Sequence, residues 1–318
     1  MISFALKHLL DKLSAKREVA LAPFSTLKVG GPARFFVEAR NNEELALLQK
    51  ACLEHNLPLH ILSGGSNTLF SDNGFDGLVI KLGSQFDFLH CDKKNQALLV
   101  GAATSYAKVT KQALLIGIDS AVGWSGIPGL IGGALRMNAG TSMGEIGDVV
   151  DEIYAVQNGE KVIFTGKDLK FSYRSNNLPK DIIITGARLK YKEESLKSSE
   201  VLLQKVQEYR LKRKKTQPII NSLGSFFKNP YPLFAAQLIE SCQLKGLQYQ
   251  QAQISSLHAN FIINNGGAKA NDILYIGSTA QQKVFEQHSV ALQPEILLVG
   301  NFKDSPSIDP KRFFNAKS

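Results

Sequence analysis

The stretch "GIPGLIGGALRMNAG" (residues 126–140) holds five glycines in fifteen positions and follows Trp124. Inside a regular element each glycine costs roughly 0.5–1 kcal/mol against alanine, so something must gain from bare backbone here. Two readings stand side by side. In the first, Gly126-Ile127-Pro128-Gly129 sets a rigid proline between two glycines, and Gly132 and Gly133 let a helix start press closely on a flat ligand. Asn138 and Gly140 then close the run with a turn pair that tolerates positive φ. In the second, a glycine-rich crossover simply packs tightly on a sheet. Spacing alone weighs the two equally.

Upstream, "SGGSN" (63–67) follows the strand-like run "LHIL" (59–62). With Gly64 and Gly65 adjacent, consecutive unhindered N–H groups can form a nest for a pyrophosphate, although a Gly-Gly pair after a strand is most often only a turn. The G-x-G-x-x-G fingerprint of a dinucleotide fold is missing, and so is a G-x-x-x-x-G-K-[ST] phosphate loop. A dinucleotide bound here needs another kind of fold.

Around these loops, strands and helices alternate without a strict repeat. Asn41, with Glu44 three residues on, predicts a capped helix that Pro58 closes. "GLVIKL" (77–82), "ALLVGA" (97–102), "EIYAV", "KVIFTG" and "DIIITGARLKY" read as strands, and "SYAKVTKQALLIGI" reads as a helix. Leu202, Val206 and Tyr209 predict one helix over about 194–215, stopped by Pro218. Beyond it, "LFAAQLIESC" and "NDILYIGSTAQQKVFEQHS" read as helices, the latter capped by Asn271 or a neighbour. "NFIIN" and "EILLVG" read as strands. The fold class is α+β, and the polar tail is expected to be loosely ordered.

Composition narrows the partners. The chain has 318 residues, 44% of them hydrophobic, enough for a large core in two or three domains. Its three cysteines, Cys52, Cys91 and Cys242, are scattered, so neither a metal site nor a disulfide framework is indicated and a reducing, cytoplasmic setting is expected. The N-terminal segment does not fit a signal peptide, and no apolar run reaches membrane-spanning length. A formal charge of +9 points to an anionic partner. Much of it sits in "KVQEYRLKRKK" (205–215), with six Lys/Arg against one Glu. Without zinc spacing or an aromatic-interleaved basic array, phosphate on a small molecule is favoured over nucleic acid.

"STLKVGGPARFF", "SGGSN", "GIPGLIGGALRMNAG", "FSYRSN", "GSFFKNP" and "LQPEILLVG" occur in this order along residues 20–302. Together they resemble the UDP-N-acetylenolpyruvoylglucosamine reductase family, in its shorter branch, to which "HANFIINNGGA" and "AAQLIES" also point. The family's usual G-x-G-S-N stands here as Ser63-Gly64-Gly65-Ser66-Asn67. The resemblance implies a vanillyl-alcohol-oxidase-type FAD-binding domain over 20–191, with two lobes split near 57–60. It further implies a connecting helix over 192–215, a C-terminal α+β substrate-binding domain over 216–302 and a tail over 303–318. It implies noncovalent FAD, NADPH as hydride donor and a UDP-sugar substrate, with no metal, no nucleic acid, no membrane and a monomeric state. FAD would lie on Gly64, Gly65, Ser66, Asn67, Thr68, Gly126, Ile127, Pro128, Gly129, Gly132, Gly133, Asn138, Ala139 and Gly140.

The implied reaction reduces an enolpyruvyl ether to a lactyl ether, in the cytoplasmic synthesis of peptidoglycan precursors. Charge develops at the α-carbon and spreads into the carboxylate, so cationic help and a proton are both required. By resemblance, Arg174 faces that carboxylate, Ser225 donates the proton and Glu295 stands near the enolate. Lys228 and Asn229 resemble positions contacting the UDP-sugar, and Lys214 a lysine near the diphosphate or nicotinamide end. Taken residue by residue, Arg174 reads as a surface arginine ending a turn, Ser225 as a turn hydroxyl and Glu295 as a strand-end carboxylate. Two alternatives are another noncovalent FAD oxidoreductase of the same superfamily and a non-catalytic nucleotide-sugar-binding protein.

Overall fold

A computed structural model describes residues 3–218 and 221–315. The chain forms two compact units, one of residues 1–17, 35–64 and 77–211, the other of 18–34, 65–76 and 212–318.

In the first unit a five-stranded antiparallel sheet runs in the order Glu160–Thr165, Val150–Gln157, Ile183–Lys190, Ala97–Gly101, Leu89–Asp92. Its inward residues, among them Leu98, Val100, Ile153, Ala187 and Leu189, are buried with Tyr106 and Trp124 in one apolar core. The strand Leu59–Leu62 pairs in parallel with Phe75–Leu82, Ile61 opposite Ile80. Asn41 caps the helix Asn42–Glu54 as its sequence predicts, its side chain accepting from the Glu44 N–H at 2.8 Å. The Glu44 carboxylate does not return to Asn41, however. It turns to the backbone N–H and Nε of Arg40, at 2.9 and 2.8 Å. The helix Tyr106–Ile116 ends where Gly117 takes φ +105°.

The helix read over 194–215 begins later. A single 3-10 turn covers Glu193–Ser195, and the helix Ser199–Thr216 starts where the Ser198 carbonyl accepts the Leu202 N–H. It carries the chain into the second unit.

There, a four-stranded sheet runs in the order Ser222–Ser225, Phe261–Asn264, Ala252–Ile254, Gln248–Tyr249. The helices Ala235–Ser241 and Ala270–His288 contribute Ile239, Ile273 and Ile276 to the core of this unit. Asn271 lies inside the long helix and is not its cap. Asp72 accepts the N–H groups of Ala270 and Asn271 at 2.9 and 3.1 Å, and Asp272 accepts that of Lys269. The strand Leu297–Val299 pairs in parallel with Thr68–Phe70. The described part of the tail, read as loosely ordered, docks instead. Ile308 is buried in this core, and buried Gln281 donates to the carbonyls of Leu292 and Ile308 at 2.7 and 2.9 Å.

Candidate active site

The glycine stretch follows a 3-10 turn, Asp119–Trp124, and continues into the short helix Ile131–Arg136. Its glycines lie against other protein segments. A Cβ on Gly64 would lie 2.6 Å from the Gly129 Cα, one on Gly132 3.2 Å from the Ala102 Cβ, and one on Gly133 2.9 Å from the Ser63 Oγ. Gly129 sits at φ +123°, which side chains rarely adopt. These contacts are those of the packing reading. Gly132 and Gly133 pack on neighbouring segments, while Gly64 and Gly129 let two loops touch backbone to backbone. The Ser63 hydroxyl beside them is buried without a hydrogen-bond partner among the described residues. Bare backbone and an unspent donor suit a pyrophosphate-bearing ligand, so these residues fit FAD.

In the second unit the rest of this motif is woven into the C-terminal segments. Thr26 donates its N–H to the Gly65 carbonyl at 3.1 Å and its hydroxyl to that of Ser222 at 2.9 Å. Asn67 donates its side-chain amide to the Glu295 carbonyl at 3.0 Å and accepts the Leu297 N–H at 2.9 Å. Ser66 and Thr68 are half-buried beside it.

Ser225 ends the strand Ser222–Ser225 opposite Phe261. The next residues run beside the segment carrying Glu295: the Glu295 N–H donates to the Phe226 carbonyl at 2.9 Å, Phe227 bridges Pro294, and the Lys228 N–H donates to Gln293 at 2.8 Å. Ser225 and Glu295 thus stand on neighbouring segments, both half-buried. Among the described residues the Ser225 hydroxyl makes no hydrogen bond to protein.

Asn260, which the sequence leaves without a role, fixes this corner. Its side chain is buried, accepts the Phe227 N–H at 3.0 Å and donates to the Phe227 carbonyl at 2.8 Å. His258 accepts the Asn260 N–H at its Nδ1 and meets Phe261 edge to face. Burial, and secondarily the charge of Lys245, pushes its imidazole below the ordinary range. His258 is thus a structural histidine.

Arg174 belongs to the first unit. "FSYRSN" is a two-residue hairpin, Phe171 pairing Asn176 and Ser172 pairing Ser175, and Arg174 occupies its second loop position at φ +52°. An L-residue there costs roughly 1–2 kcal/mol, and such outliers cluster at functional sites. The side chain is 19% exposed, so it is not the surface arginine that the bare sequence suggests. Its guanidinium donates to the Gly140 carbonyl at 2.9 Å, lies over the Tyr173 ring and faces Glu145 at 3.6 Å. Asn138 has its side chain engaged by protein: its Nδ2 donates to Glu145 and to the Ser172 carbonyl, and its Oδ1 accepts the Gly147 N–H. Ala139 offers its carbonyl to the buried Tyr106 hydroxyl at 3.0 Å. Glu145 escapes the sequence reading. Its only trace is the spacing to Asp148, which accepts the Glu145 N–H at 2.8 Å.

Other predicted contacts are dispersed. Lys214 is exposed in the last turn of Ser199–Thr216, where cations favour the helix dipole. Asn229 accepts the Ala235 N–H at 3.1 Å at the start of its helix. Gly126, Ile127 and Pro128 turn the chain, the Ile127 N–H donating to the Trp124 carbonyl at 3.2 Å. Among the described residues no group of three His, Cys, Asp or Glu could hold a metal, and no helix is long and apolar enough to cross a membrane.

Comparison with known proteins decides the family. Residues 214–299 match the model of the UDP-N-acetylenolpyruvoylglucosamine reductase C-terminal domain, and residues 33–166 that of an FAD-binding domain. A UDP-N-acetylenolpyruvoylglucosamine reductase of Anaeromyxobacter sp. (strain Fw109-5) is 37% identical over 288 residues, 90% of this chain and 89% of that one. The reductase of Orientia tsutsugamushi (strain Ikeda) is 38% identical over 289 residues, covering 90% and 94%. The chain belongs to the UDP-N-acetylenolpyruvoylglucosamine reductase family. The crystal structure of the Thermus caldophilus reductase agrees, with a TM-score of 0.77 at 33% identity over 90% of this chain and 98% of that one. As a family member the chain is an FAD-dependent oxidoreductase, and the FAD-binding match spans Gly64, Gly129 and Gly133. The C-terminal match spans Ser225, Lys228 and Glu295.

Proposed function

We propose that this chain reduces UDP-N-acetylglucosamine enolpyruvate to UDP-N-acetylmuramate with NADPH, in the cytoplasmic synthesis of peptidoglycan precursors. What carries the reading is the register of the C-terminal unit, where the segment after Ser225 lies hydrogen-bonded beside the one bearing Glu295. The relatives and the two domain matches support it.

Bound FAD supplies the hydride chemistry, which no side chain can. Its attachment is noncovalent, since no His or Cys occurs within 63–67 or 126–140. The protein's own work is to bind and to move a proton. Arg174 meets the enolpyruvyl carboxylate, where a permanently charged planar guanidinium is apt. The Ser225 hydroxyl holds the proton that the α-carbon takes up. A serine is a weak acid, so Glu295 and the backbone fixed by Asn260 must keep that hydroxyl aimed. Lys228, half-buried, and Lys214 on its helix end take the anionic UDP moiety, and Asn229 lies in the same motif as Lys228.

Ser225→Ala tests the assignment. The variant should keep its flavin and be bleached by NADPH at close to the wild-type rate. Recovery of flavin colour on adding the enolpyruvyl substrate should fall roughly 10²–10⁴-fold, the range of general acid catalysis. Turnover within a few-fold of wild type, or loss of the bleaching step instead, refutes the role of Ser225.

A further inference from the structure

Arg174 is held from several sides by residues of its own unit. Its guanidinium donates to the Gly140 carbonyl at 2.9 Å and faces the Glu145 carboxylate at 3.6 Å. That separation is too long for the two-pronged fork of a tight arginine–carboxylate pair, whose bonds run about 2.7–2.9 Å. Glu145 therefore supplies opposing charge at longer range than such a pair. The carboxylate is itself fixed. Asn138 donates to its Oε2, and Asp148 accepts the backbone N–H of the same residue. The same Asn138 amide group donates to the Ser172 carbonyl, in the hairpin that carries Arg174, and its Oδ1 takes the Gly147 N–H. One buried asparagine thus ties together the hairpin bearing the cation and the turn bearing its counter-charge.

We propose that Glu145 is a positioning residue for Arg174, orienting the guanidinium for the substrate carboxylate, and that Asn138 holds Glu145 to that task. The proposal rests on the reading of Arg174 as the carboxylate ligand, and it moves the side chain of Asn138 from cofactor binding to support of that ligand. A carboxylate here works against burial, which pushes Glu145 above the usual carboxylate range while Arg174 pulls it back. Packing alone gives no reason to keep a charge there.

A double-mutant cycle on the FAD-loaded enzyme tests this, using Glu145→Gln, Arg174→Ala and the pair. Glu145→Gln should raise KM for the enolpyruvyl substrate roughly tenfold and leave kcat less changed. Flavin content and the rate of bleaching by NADPH should stay within about twofold of wild type, because neither needs the substrate carboxylate. In the Arg174→Ala background the same change should add less than about twofold. Glu145→Asp, keeping the charge at shorter reach, should raise KM less than Glu145→Gln, and it carries the test should the glutamine variant fail to fold. An equal penalty in both backgrounds, or an unchanged KM for Glu145→Gln, overturns the role of Glu145. An unchanged KM for Arg174→Ala overturns the reading of Arg174, and this proposal with it.

Discussion

Replacing Gly64 by alanine tests whether the contact between the two glycine loops serves the cofactor. The added Cβ would lie 2.6 Å from the Gly129 Cα and 3.3 Å from the Gly129 carbonyl carbon. Comfortable carbon–carbon separations are about 3.5–4.0 Å, so the loops must part by roughly 1 Å. The obstacle is backbone at a residue fixed at φ +123°, which cannot rotate aside as a side chain can. Overpacking of this kind costs about 1–3 kcal/mol, and where the strain falls decides the outcome. If the loops must touch only when FAD is bound, the cost appears in affinity, as a roughly 5- to 150-fold rise in Kd. Gly133→Ala is the graded control: its Cβ meets the Ser63 Oγ at 2.9 Å, and a serine can change rotamer. Its effect should be the smaller one. The assay is titration of apoprotein with FAD, followed by flavin fluorescence, beside thermal melts of apo and loaded protein. If Gly64→Ala lowers both melting temperatures equally and leaves the Kd for FAD unchanged, the contact is plain packing and the cofactor argument fails.

Two further perturbations address the frame around the site. Burial pushes His60 down to about 4 from 6.5, so the fold favours the neutral ring. Its contribution to stability is complete above pH about 6.5 and is lost as pH falls toward about 4, at most about 3 kcal/mol. That figure is a ceiling, because the residue as a whole keeps some surface to solvent. His60→Leu should flatten chemical-denaturation stability over that window, and an unchanged pH slope refutes the cause. Gln281→Leu strips buried donors from the carbonyls of Leu292 and Ile308. At about 1–3 kcal/mol for each buried group left unsatisfied, the melting temperature should drop and protease should cut within 303–315 first. Uniform destabilisation without that early cut argues against Gln281 as the anchor of the tail.

Most elements were legible because their causes are local. Asn41 caps its helix with its own side chain, Gly117 ends another at positive φ, and the apolar strands fall where their runs predict. Legibility failed where the cause lies far along the chain. The N-cap of Ala270–His288 is Lys269, a neighbour of Asn271, but the acceptor for the Ala270 and Asn271 N–H groups is Asp72, almost two hundred positions upstream, and no local window contains it. The tail is polar by composition, yet one apolar residue, Ile308, reaches the core and Gln281 fixes its carbonyl. Composition averages over a segment, whereas docking needs only one well-placed side chain.

The candidate site divides the same way. Ser225, Arg174 and Glu295 stand in motifs that resemble a family, and a motif exposes residue type and order. It does not expose what orients a residue, because orientation comes from contacts that sequence order scatters. Arg174 takes its direction from a two-residue hairpin, and the hairpin is tied by Asn138, more than thirty positions earlier. From the residues alone Asn138 reads as a turn former, and positive φ at +44° bears out that local part. Its amide group could equally have been offered to a ligand. The decisive fact is that its oxygen and its nitrogen already have protein partners, one of them the carboxylate facing Arg174. A cation kept in a left-handed turn at a cost of roughly 1–2 kcal/mol needs such a frame, since without it the hairpin could relax and carry the guanidinium away. Strain at Arg174 and saturation at Asn138 are therefore one feature: the loop that closes the glycine stretch is built to hold an arginine still.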